Sequence, residues 1–195
     1  MQRTICVCCI ACCLAGCVPP RNAGPVADEV GKIFTWKMHS TVEVTDTGCP
    51  SQAKLEDLKR DLPGSHQFVR LDSLTAGTGL SCQNADDLKT CVEIDEATSI
   101  IFPRELAIAN AHFTGSTYSI AAQLAAGCSL MVDSTFDLAD KGNSATLTMG
   151  LVYRKQDVAA CLGVQLVDGN GNVVQQCSAD ATGDLDLVSV RDAPR

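Results

Sequence analysis

Cysteine offers the most chemistry in this chain: twelve occur among 195 residues. Six crowd the first seventeen positions (Cys6, Cys8, Cys9, Cys12, Cys13 and Cys17), and six are spread through the remainder (Cys49, Cys82, Cys91, Cys128, Cys161 and Cys177). A thiolate can ligate zinc, act as a nucleophile, couple into a disulfide or carry an acyl chain. Zinc does not fit either group. The later cysteines form no knuckle spacing, and the leading ones alternate with apolar residues with no His or acid nearby. The histidines His39, His66 and His112 stand far apart and form no metal-binding helix pattern. There is no G-x-S-x-G elbow, and Thr78-Gly79-Leu80-Ser81-Cys82 lacks the lysine of a phosphate loop. These residues point to no cofactor, no metal and no catalytic constellation.

The leading cysteines belong to a distinct segment. Met1-Gln2-Arg3 carries one positive charge, and the uncharged run Thr4 to Cys13 follows it. Such a run is too short to cross a bilayer as a helix but has the length of a secretory signal's apolar region. It ends in Leu14-Ala15-Gly16-Cys17. These four residues resemble the lipobox of the bacterial lipoproteins. The resemblance implies that residues 1–16 are a signal peptide and that Cys17 becomes the acylated first residue of the mature chain. It also implies a lipid-anchored protein of the cell envelope, in contact with the membrane through its acyl chains. Val18 stands where Asp commonly marks inner-membrane retention, so the resemblance implies the outer membrane.

Export bears on the other thiols. Six cysteines outside the cytosol favour disulfides, and six allow fifteen connectivities. Cys82 and Cys91 bracket a polar segment that a local bridge would pin. Cys161 and Cys177 flank Asp168-Gly169-Asn170-Gly171-Asn172, a hairpin signal because Asn-Gly and Asp-Gly tolerate positive φ. Folding about Gly169 brings those cysteines nearly opposite. Cys49 is then left for Cys128.

Carboxylates are plentiful, 23 against 15 basic residues, for a net charge of −8. That balance opposes a nucleic-acid role, which rests on basic surface. Asp168 begins like a calcium loop, but Val173 and Ala179 stand where Gly and Glu are needed, so the segment reads as a turn. Asp180, Asp184 and Asp186 read as solvated charges.

These residues need a frame. Val18 to Pro25 holds three prolines, so residues 17–31 read as a lipidated Cys and an extended tether. Residues 32–195 read as one β-rich domain. Strand-like runs are Lys32 to Thr45, Gln67 to Leu71, Cys91 to Ile94, Thr98 to Phe102, Ser116 to Gln123, Ser129 to Leu138, Ala145 to Tyr153, Gly163 to Val167, Asn172 to Cys177 and Leu185 to Val190. Asp140 to Asn143 reads as a hairpin turn, and Gly183-Asp184 as the entry to a last strand. Phe34, Trp36 and Met38 alternate as a core-facing stripe. One helix is expected over Ser51 to Leu62, with Ser51 as its cap and Pro63-Gly64 as its stop. Leu106 to Ala111 and Ala121 to Ala126 fit helix or strand equally. The fold class is therefore mainly β: a disulfide-stapled sandwich or an up-and-down, lipocalin-like barrel with one short helix. The expected function is a non-enzymatic envelope binding or structural module, its partner, protein or apolar ligand, left unassigned by the residues. A barrel carrier of an apolar ligand and a carboxylate-dependent hydrolase are the alternatives.

Overall fold

A computed structural model describes residues 20–73, 78–82 and 105–194. Its frame is a closed eight-stranded antiparallel barrel. The strands are β1 (Lys32–Asp46), β2 (His66–Ser73), β3 (Thr78–Cys82), β4 (Glu105–Ala109), β5 (His112–Ala125), β6 (Cys128–Asp140), β7 (Ser144–Lys155) and β10 (Gln176–Asp192). Each pairs with its neighbour in sequence, and β1 closes the ring by pairing with both β2 and β10. This is up-and-down order, which leaves neither sheet edge open at the seam. A separate two-stranded hairpin, β8 (Leu166–Val167) with β9 (Val173–Val174), interrupts the run from β7 to β10.

Period-two alternation explains which faces turn inward. On β6 and β7, Val132, Phe136, Leu138, Leu147, Met149 and Leu151 are buried while the residues between them are more exposed. Phe34, Trp36 and Met38 join them in one apolar core, as the aromatic stripe predicts. The outward positions of β10 are Ser178, Asp180, Thr182, Asp184 and Asp186, all exposed. Apolar inside and polar outside is the reverse of a membrane-spanning barrel, whose apolar band faces lipid.

The barrel has two unlike ends. The lock end carries the start of β1, the end of β10, and the β4–β5 and β6–β7 turns, which span only two or three residues. The loop end carries the longer connections, residues 47–65 and 156–175. There α1 (Leu55–Asp61) packs Leu55 and the following Leu62 into the core. The helix begins later than expected. Ser51–Ala53 forms a 3-10 turn instead, and Lys54 follows it at φ 53°, so Ser51 does not cap α1.

Three further readings change. Leu106 to Ala109 and Ala121 to Ala125 are strand, because ladder partners on β5 and β6 outweigh alanine's helical preference. Gly183 does not open a new strand but lies inside β10. It faces the irregularity between Met38 and Val42 of β1, where an added Cβ would come 3.3 Å from Val42 and 3.4 Å from the Met38 sulfur. The glycine lets the barrel wall bend there. Gly163 to Val167 and Asn172 to Cys177 shrink to the two-residue strands of the β8–β9 hairpin and the start of β10. The runs Cys91 to Ile94 and Thr98 to Phe102 lie outside the described residues.

Candidate functional site

The chain enters the barrel at Arg21, and the elements of the lock end converge on that side chain. Its Nη1 and Nη2 donate to the two carboxylate oxygens of Asp140 at 2.9 and 2.6 Å. Nη1 also donates to the Gly142 carbonyl at 3.0 Å, and Nε donates to Glu29 at 2.7 Å. Asp140 has no exposed side-chain area. Its oxygens also accept the backbone N–H groups of Gly24 at 2.9 Å and Gly142 at 2.8 Å. Both members of the pair are therefore well supplied with partners, as a desolvated ion pair requires. Burial works against the charge on Arg21, but hydrogen bonds and attraction from Asp140 and Glu29 outweigh it, so its pKa lies above the ordinary value.

The guanidinium also caps the core. Its central carbon lies 4.7 Å from the centre of the Phe34 ring and 6.0 Å from that of Trp36, within cation–π range. Gly142 sits at φ 94°, and a Cβ there would strike the Arg21 carbonyl oxygen. The β6–β7 turn thus needs glycine both for its backbone angle and for the close approach of the entering chain. The described part of the expected tether, residues 20–31, is consequently docked on the barrel rather than extended and solvated.

The loop end is fastened by sulfur. Cys49 pairs with Cys177 and Cys128 with Cys161, which corrects the expected pairs Cys49–Cys128 and Cys161–Cys177. Register supplies the reason. Asp46 of β1 stands opposite Ala179 of β10, and the Thr47 N–H donates to Ser178, so the chain just beyond β1 meets Cys177. At β6, the Gln156 N–H donates to Ser129, and the 3-10 turn Ala159–Cys161 then brings Cys161 back to Cys128. The hairpin expected at Gly169 forms, but its strands pair only with each other, with Leu166 tucked into the core, and it does not align Cys161 with Cys177. Cys82 lies on β3, while Cys91 and Cys17 fall outside the described residues.

The remaining singled-out residues are dispersed. Asp168 accepts the backbone N–H groups of Asn170 and Asn172, each at 2.8 Å, and these bonds hold its carboxyl below the usual range. It is the turn expected. Asp180, Asp184 and Asp186 project from alternate positions of β10, where residues two apart are separated by about 7 Å. Asp184 accepts from Thr146 at 2.8 Å, and Asp186 contacts His39 at 2.7 Å. His112 contacts Asp137 at 2.8 Å, and His66 stacks on Phe68. Among the described residues no three metal-ligating side chains gather.

Among the described residues one surface groove has room for a ligand. A shallow groove of about 600 Å³ on the outer wall is lined by hydroxyls of Thr114, Ser116, Thr135 and Thr148 and bordered by Asp137 and Asp180. Those two carboxylates stand on β6 and β10 with β7 between them, and they are offset by two residues in register. Their backbones are therefore about 12 Å apart. The packed interior holds two buried polar groups. The Trp36 indole Nε1 and the Ser134 hydroxyl are buried there with no partner among the described residues.

Sequence reasoning missed Arg21. Its single signal was a basic residue amid prolines next to an apolar barrel start, and a tether reading absorbs that signal. No family model matches the chain, and no curated protein or solved structure matches it either.

Proposed function

We propose that this chain is an exported lipoprotein, acylated at Cys17 and held at the outer membrane, whose barrel serves as a non-enzymatic binding or structural module of the cell envelope. The observation that carries this reading is the pair of disulfides. Cys49–Cys177 and Cys128–Cys161 tie the long connections of the loop end, and such bridges persist in oxidising compartments. That agrees with a leader ending in Leu14-Ala15-Gly16-Cys17. The rigid barrel supplies a platform, and connections at one end are where binding residues commonly collect. No helix among the described residues is long and apolar enough to cross a membrane, so the reading relies on the acyl chains alone. Two or three chains give stable attachment where one is marginal.

Metabolic labelling with a fatty acid tests the anchor. Label should enter the wild type and be absent from Cys17→Ser, and label retained in the variant would refute the assignment.

A second reading has one specific observation in its favour. The unpartnered Trp36 Nε1 donor and Ser134 hydroxyl inside the barrel are groups that the polar atoms of an otherwise apolar ligand would satisfy. Organic extraction of the purified protein followed by mass spectrometry tests it. A stoichiometric small molecule in the extract would move the reading from module to carrier.

A further inference from the structure

We infer that the barrel stands end-on upon the bilayer, with the lock end facing the lipid and the disulfide-tied loop end facing away. This inference rests on the anchor reading above and adds an orientation to it. Between Cys17 and the fixed point at Arg21 lie only Val18, Pro19 and Pro20. At about 3.1 to 3.6 Å per residue, those four steps reach roughly 12 to 14 Å. A free stalk through Gly31 would reach about 3.5 times as far, but Arg21 is bound to Asp140, Glu29 and the Gly142 carbonyl. The acyl chains are thus held near one end of a barrel whose β6 strand alone has 13 residues. Even tilted by about 40°, such a strand spans roughly 30 Å along the axis.

Charges at the lock end are largely paired. Around the lock end, Val26, Val30 and Val188 are exposed. Lys32 there is matched by Asp192 at 2.6 Å, and Lys141 donates to Thr146. Asp28 is the exposed carboxylate of the entering segment. Exposed apolar side chains also stand on the loop connections (Val158, Leu162, Val167 and Val173) and on β5 (Tyr118 and Ile120), so it is the short link, not apolar surface, that selects the lock end. The flank formed by β6 and β10 carries Asp133, Asp137, Asp180 and Asp184 on its outer face, with Asp133 matched by Arg154 at 2.7 Å. Anionic headgroups repel these carboxylates, so a posture lying on that one flank is disfavoured.

The test uses the full acylated protein in vesicles of phosphatidylethanolamine and phosphatidylglycerol. A fluorophore is attached through an azide-bearing residue at Lys141 or, separately, at the exposed Leu162 of the loop end. Energy transfer to a lipid-borne acceptor should be at least twofold greater from position 141. Equal transfer, or greater transfer from position 162, overturns the orientation. Flotation separates the two claims. Protein that floats with the vesicles yet shows equal transfer refutes the orientation alone, whereas protein that does not float refutes the anchor and the orientation together. A second variant leaves the fold untouched by inserting about ten Gly and Ser residues between Pro20 and Arg21, which lengthens the flexible reach. The ratio of transfer between the two positions should then fall toward one. A ratio unchanged by the insertion overturns the claim that the short link sets the posture.

Discussion

Arg21 and Asp140, 119 residues apart in sequence, meet through two parallel hydrogen bonds at the end of the barrel where β6 turns into β7. The pair joins the entering chain to the wall and closes the core beneath it, because the same guanidinium covers Phe34 and Trp36. Removing one member leaves the other charge desolvated and alone. Arg21→Ala should therefore cost about 3 to 5 kcal/mol, read as a lower urea midpoint at unchanged slope. Replacing both members, Arg21→Met with Asp140→Leu, should recover part of this loss. Recovery stays incomplete because the Gly24 and Gly142 N–H groups lose their acceptor, each at about 1 to 3 kcal/mol if left buried and unpaired. Full recovery would mean that the backbone bonds to Asp140 carry no weight.

Gly142→Ala tests the same junction without touching a charge. The alanine must adopt φ near 94° and displace the Arg21 carbonyl. An L-residue in the left-handed region costs about 1 to 2 kcal/mol before any clash is counted. The entering segment should loosen, so trypsin should cut after Arg21 several-fold faster than in the wild type. An unchanged cleavage rate would show that the turn and the segment are not in contact.

The disulfides differ in the length of chain they close. Cys49–Cys177 spans 128 residues and Cys128–Cys161 spans 33. Restriction of the unfolded chain then contributes about 5 and about 4 kcal/mol respectively. Replacing both cysteines of the first pair by serine should lower stability more than the same change in the second. Peptide mapping of the unreduced protein should recover the fragment holding Cys49 linked to the one holding Cys177. Recovery of Cys161 joined to Cys177 instead would overturn the register argument.

Tyr153 gives the pH dependence. Burial pushes its phenol up to about 12, against about 10 in an unfolded chain. The neutral form is favoured in the folded state, so its contribution to stability is intact below pH 10. Above that the unfolded chain releases the proton first, and stability falls by up to about 1.4 kcal/mol per pH unit until pH 12. Tyr153→Phe should remove that part of the alkaline loss, measured as the difference between the two proteins' urea midpoints at pH 9 and pH 11. Parallel losses in both proteins would show that the phenol is not the group responsible.

Much of the architecture was legible in the chain itself. Alternation from Val132 through β6 and along β7 determines both strand identity and the inward face, because a pleated strand sends successive side chains to opposite sides. The Asp140 to Asn143 turn and the Asp168 hairpin are equally local, written in residues that tolerate tight-turn angles. Local signals do not contain register around a closed ring. Which cysteine meets Cys177 depends on how β1 lies against β10, a pairing across more than 130 residues. Ring closure also chose barrel over sandwich, since alternation reads the same in both. The role of Arg21 was likewise decided by tertiary structure. A lone arginine among prolines reads as solvated chain, and only the folded barrel supplies the buried carboxylate and the two aromatic faces that make burying it favourable.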